Sequence, residues 1–172
     1  MQAIFNYFWQ LCLLKRHPSE LPNQHSVLLI VTLIYLGIIT FAGMLSYPSR
    51  GLLTTFAMIM VGLAIEVGLI FMLMWFKGVA NRLPSVIGNL LGASALLTCI
   101  LLPVNLTLLS VEPGILRTLA DSLTWVWLGW WLTVCGYVLA KSAQISILQG
   151  ALIAFMIELL GVLSSYSLFP GS

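Results

Sequence analysis

Charge is what this sequence has least of. Asp, Glu, Lys and Arg together make up 7% of its 172 residues, where a soluble domain carries about 25%. With 60% hydrophobic residues, the composition is that of an integral membrane protein. No polar stretch is long enough to build a separate soluble domain. The net charge of +2 comes from scattered Lys and Arg, which excludes the basic patch that nucleic-acid binding needs. Histidine is nearly missing: His17 and His25 both precede the first run long enough to span a bilayer. No imidazole pair can therefore bracket a haem inside the bilayer. Cys12, Cys99 and Cys135 are isolated, so neither a disulfide framework nor a thiolate metal site is expected. HExxH, GxSxG, Walker A and GxGxxG motifs are absent, and no aspartate lies within an apolar run. We expect no catalytic residues, no metal and no cofactor, and hence no enzyme.

What is present is a series of apolar runs. Residues 2–14 are too few to cross a bilayer and carry a narrow polar stripe at Gln2, Asn6 and Gln10. They predict an amphipathic helix, either lying at the membrane interface or packed against the bundle. Trp9, Lys15 and Arg16 are its expected membrane-surface residues, because indoles and basic groups favour the headgroup level. The apolar stretch precedes its positive charges and no small-residue cleavage site follows, unlike a cleavable signal peptide. Pro18 and Pro22 force an extended connection.

Five spans are predicted beyond it, at 27–45, 52–76, 85–109, 123–140 and 145–169. Each is long enough for a hydrocarbon core of about 30 Å. Small residues recur on several faces. Gly88 and Gly92 form a GxxxG on the third span, Gly129 and Gly136 lie on one face of the fourth, and Gly150 and Gly161 bracket a small-residue seam on the fifth. Such faces allow helix backbones to approach closely. Between the third and fourth spans, 110–122 reads as a polar loop with a short surface helix starting near Pro113. Trp125 and Trp127 suit an interfacial aromatic belt, and the deeper Trp130 and Trp131 suit lipid-facing packing or an apolar ligand wall. With the N-terminus cytoplasmic, the inside segments carry Lys15, Arg16, Lys77, Arg82 and Lys141 and the outside loops only Arg50 and Arg117. The positive-inside rule therefore predicts a cytoplasmic N-terminus and an external C-terminus.

Glu66 and Glu158 are the acidic residues inside apolar runs, each near the centre of its span. An ionised carboxylate there costs about 2.5–3.5 kcal/mol on insertion scales. Desolvation favours the neutral acid, so both are expected to face the bundle interior and to stay protonated at neutral pH. No Lys or Arg lies deep in a span to pair with them; the candidate partners are each other, Thr32, Tyr35, Thr98, Thr133 and Tyr137. Two roles follow: hydrogen-bonded glue between helices, or a relay or grip for a proton, a cation or a polar ligand group.

The N-terminal amphipathic segment, the Leu13-Leu14…Pro18…Leu21-Pro22 approach and five closely spaced spans resemble the small bacterial five-span inner-membrane proteins of the Yip1-like family. The stretch from Asn81-Arg82 into GNLLGASALLTCILLP is similar to that family's third span. The resemblance implies a five-span fold in a bacterial inner membrane and carries no catalytic residues over to this chain. We therefore expect an all-α membrane protein of five transmembrane helices plus the interfacial helix. Its expected role is that of a non-enzymatic scaffold or accessory protein, with the lipid bilayer and either a membrane-protein partner or a second copy as its contacts. A small proton-coupled carrier using Glu66 and Glu158 is the alternative.

Overall fold

A computed structural model describes residues 2–22 and 24–169, with no strand among them. It contains helices α1 (Gln2–Cys12), α2 (His25–Ser46), α3 (Leu52–Phe76), α4 (Leu83–Ser110), α5 (Ile115–Ala143) and α6 (Ile147–Leu168). The last five are long and apolar enough to cross a bilayer, and the architecture is that of a multi-pass membrane protein. The connections are short, and local chemistry sets them. Gly78, with φ of +69°, ends α3: its N–H donates to Trp75 and the N–H of Val79 donates to Met74, the paired bonds of a Schellman cap. Ser146 and Gln149 cap the start of α6 reciprocally, at 3.1 and 3.0 Å.

The spans fall close to their expected places, with one clear difference. α5 begins at Ile115 rather than near Leu123. The polar residues of the expected loop are absorbed into helix because Thr118 and Ser122 donate back to Gly114 (3.2 Å) and Thr118 (2.9 Å). No separate surface helix forms, and Ile115 and Leu116 stay exposed on the added turns.

α5 packs most extensively against α6 and α4, α4 also against α2, and α3 against α6, while α2 and α3 touch less. The glycines decide how closely. A Cβ on Gly150 would lie 2.4 Å from the Gly136 carbonyl oxygen, and one on Gly136 would lie 2.8 Å from the Ala151 backbone nitrogen. α5 and α6 therefore meet backbone to backbone. Gly161 faces Gly62 of α3, 3.5 Å from its carbonyl oxygen. Gly88 and Gly92 also pack, but against side chains rather than backbone: Leu21, and Leu28 of α2, at Gly88, and Phe8 of α1 at Gly92. Gly129 alone needs correction, since it meets nothing within 4 Å. Gly129 makes no packing contact because its face of α5 looks outward.

α1 is held more firmly than an interfacial helix requires. Phe8, Leu11 and Cys12 are buried against α4 and α5, with a Gly92 Cβ position only 2.2 Å from the Phe8 ring. The other face keeps Ile4, Phe5 and Trp9 exposed beside the polar Asn6, which accepts from Gln10 at 3.2 Å. Asn89 of α4, fully buried, ties this end together. It accepts from the Tyr7 hydroxyl at 2.7 Å and donates to the carbonyls of Pro18 (2.8 Å) and Ser85 (2.7 Å). Burial pushes the Tyr7 phenol up to about 12, and burial likewise pushes the Cys12 thiol up to about 12. Arg16 pairs with Glu20, and its hydrogen bond holds that carboxyl below the usual range. Lys15 is exposed beside them.

Three of the α5 tryptophans turn inward, contrary to the belt or lipid-facing expectation. Their indole N–H groups donate to Leu97 (Trp127, 2.9 Å), the Cys12 carbonyl (Trp130, 2.7 Å) and the Ser94 hydroxyl (Trp131, 3.0 Å). An indole N–H in a water-poor bundle needs an acceptor, and these three positions find theirs on α4 and α1. Trp125, with no such partner among the described residues, is exposed.

Candidate functional site

A crevice of about 370 Å³ enters the bundle from the α2–α3 loop and touches all five spans. Its mouth is formed by Tyr47, Arg50 and Tyr166, and its walls by Tyr35, Ile39, Thr55, Met58, Leu63, Thr98, Asn105 and Trp127. Glu66 and Glu158 lie on it at mid-span. At 1.5 Å per residue, Glu66 is about 21 Å along α3 from Leu52, and Glu158 about 15 Å along α6 from Leu168. The two helices run in opposite senses, which is how one crevice reaches both carboxyls from a single end.

The sequence of α3 and α6 makes room for this. Gly62 and Gly161 let the helices touch, and Ser165 bridges them by donating to Met58 (3.0 Å) and Gly161 (2.9 Å). One turn nearer the centre the longer glutamates replace the glycine contact. Neither carboxyl makes a hydrogen bond to a described residue, and both line the crevice. Glu158 is exposed by surface area and Glu66 half-buried. Of the expected partners, Tyr35 and Thr98 share the crevice with them. Thr133 instead donates to Gly129 at 2.7 Å, and the Tyr137 ring lies under Lys141.

Beyond the carboxyls the space closes. A cavity of about 10 Å³, lined by Glu66, Glu158 and the apolar Ile70, Leu90, Trp131, Cys135, Leu139, Ala154 and Ile157, continues inward. That is room for about one water. The crevice thus runs from the α2–α3 loop to two mid-span carboxyls, with room for little beyond them.

Arg50 was missed as a site residue because a loop arginine reads as a topology signal. Its guanidinium stacks on Tyr47 at 4.2 Å and Tyr166 at 5.2 Å and donates to the Tyr166 hydroxyl at 3.3 Å. The stacking fixes a cation beside the mouth. Tyr-Pro-Ser-Arg in a tight loop carried no signal that Tyr166, 116 residues later, would face it. Asn89 did carry one: an amide inside an apolar run needs partners, and such residues merit attention for that cost. The buried hydroxyl of Thr55, on the crevice wall, has no hydrogen-bond partner. The chain matches no protein-family model, no curated protein and no solved structure.

Proposed function

We propose that the protein is a small non-enzymatic carrier or ligand-binding subunit of a bacterial-type inner membrane that takes a cationic group to Glu66 and Glu158. One observation carries this reading: a crevice leads from the α2–α3 loop to two carboxyls that no described residue hydrogen-bonds. A carboxyl left without partners in a low-dielectric site is a ready acceptor for a proton or a cation, and the exchange of one for the other couples them. The aromatic wall of Tyr35 and Trp127 suits an organic cation with an apolar body. The vestibule falls within the size range of small-molecule sites. The count of basic residues supports a cytoplasmic N-terminus, which turns the crevice mouth to the outside.

Full-length protein in neutral detergent tests the reading with benzyltrimethylammonium as the probe. Calorimetric binding is expected, with about one proton released per cation bound at neutral pH. Glu66→Gln with Glu158→Gln abolishes both. No binding by the wild type, or equal binding by the double variant, refutes the proposal.

A second reading is the scaffold role expected from the small-residue faces. Two faces support it: Gly129 and Gly68 are exposed and meet nothing within 4 Å, and Ala64, one turn from Gly68, is exposed as well. A stoichiometric membrane partner co-purifying in mild detergent, and lost on Gly129→Leu or Gly68→Leu, favours this role over the carrier.

A further inference from the structure

The end of the bundle opposite the crevice mouth holds a second cavity, of about 380 Å³. Three separate segments enclose it: the link after α1, the approach to α4 and the last turn of α5. Each contributes a basic side chain, respectively His17, Arg82 and Lys141. No acidic residue lines the cavity, and the nearby carboxylate of Glu20 is already engaged by Arg16. Arg82 and Lys141 make no ion pair among the described residues, and both are exposed.

The walls are preformed. Asn89 holds the Pro18 carbonyl at 2.8 Å, and Ser85 donates to the carbonyls of Pro18 and Leu21 at 3.3 and 3.4 Å. His17 is oriented as well. Its Nδ1 accepts from the Ser19 N–H at 3.3 Å, which leaves the ring proton on Nε2 as a donor. α4 begins at this cavity, with Ser85 and Val86 of its first turn on the lining, so the positive end of its dipole adds to the side-chain charge. α5 ends here with the opposite polarity, and Lys141 in its last turn offsets that.

We propose that this cavity binds a phosphate group, carried either on a membrane lipid or on a soluble molecule. Arg82 and Lys141 supply the charge, His17 supplies a fixed donor, and Pro18, Leu21 and Val86 give the site an apolar side. Two convergent cations and one neutral N–H donor, from three segments and without a counter-charge, form the donor set that a phosphate oxyanion requires. The site is separate from the crevice, and its test does not depend on the carrier reading.

The experiment uses full-length protein in a neutral detergent, with soluble dihexanoyl phosphatidylglycerol and inorganic phosphate as alternative probes. Saturable binding of at least one is expected. Arg82→Gln with Lys141→Gln weakens it about tenfold or more, each single variant weakens it less, and all three keep the wild-type melting temperature. Lys15→Gln with Lys77→Gln removes the same charge away from the cavity and leaves binding unchanged. Binding of phosphatidylglycerol alone assigns the phosphate to lipid, and binding of inorganic phosphate assigns it to a soluble source. The proposal is overturned if neither probe binds, if the Arg82 and Lys141 variants bind like the wild type, or if the Lys15 and Lys77 pair loses as much.

Discussion

Around the basic end of the bundle, α1, α4 and α5 interlock; around the other end, chiefly α2, α3 and α6 enclose a vestibule. The contiguous buried core runs through Phe8, Leu11, Ile70, Met74, Val86 to Ala93, and Val134 to Ala143, and reaches only as far as Leu97, Trp131 and Ile157. Past that level the buried residues are fewer, and they include hydroxyls. Thr40 and Thr55, both on the crevice half of their helices, have buried hydroxyls without partners. One half therefore concentrates the packing that resists opening, and the other retains polar groups and space. Segments with few buried apolar contacts open at lower free energy, so the vestibule half is where movement is expected. Its floor, at Glu66 and Glu158, lies at the junction of the two.

Glycine substitutions test the contrast most severely. Gly150→Leu sets a side chain against the Gly136 backbone, which cannot give way, and should cost about 3 kcal/mol or more. Gly129→Leu, on the open face of the neighbouring helix, should fall within about 0.5 kcal/mol of wild type. Thermal unfolding in detergent compares them, and equal losses would mean that the seam is not the tight element. Phe8→Ala empties the contact with Gly92 and should cost about 3 kcal/mol by the same assay, with α1 becoming cleavable by added protease. If α1 stays protected and stability is unchanged, α1 is not part of the core.

Alkali should loosen the basic half through Tyr7. Its folded-state value is raised from 10.0 to about 12 by burial, with the charge of Glu20 adding to this. The stability linked to its neutral form is therefore fully present below pH 10 and lost as pH rises through about 12. Tyrosinate absorbance and Trp130 fluorescence should change together over that window in the wild type, and the fluorescence step should vanish in Tyr7→Phe. The smallest effect belongs to the vestibule half. Thr55→Val removes a buried unpaired hydroxyl, so stability should stay level or rise by up to about 1 kcal/mol; a loss of that size would show the hydroxyl to be partnered in the membrane.

The fold was legible because apolar length is a direct reading of bilayer thickness: α3 begins and ends at the residues its composition marks, Leu52 and Phe76. The start of α5 was not, because Thr118 and Ser122 satisfy themselves within the helix and so cease to act as loop residues. Gly136 and Gly150 could be placed on packing faces from their spacing, whereas Gly129 shares that spacing and faces nothing. Periodicity identifies a face without naming what covers it. Of the site, Glu66 and Glu158 stand out as costly acids in apolar runs. The mouth does not, since Arg50 and Tyr166 come together only through tertiary packing.

Sided solvent access to the carboxyls is the central claim, and cysteine accessibility tests it most directly. In a background with Cys12, Cys99 and Cys135 replaced by Ser, single cysteines at Leu63 and Thr98 line the crevice, and those at Leu90 and Ala154 line the closed space beyond the glutamates. In sealed vesicles, a membrane-impermeant thiol reagent applied on the side of the α2–α3 loop should label the first pair and spare the second, and neither pair should react from the opposite side. Labelling of Leu90→Cys or Ala154→Cys, or equal reactivity from both faces, would contradict a vestibule that ends at Glu66 and Glu158.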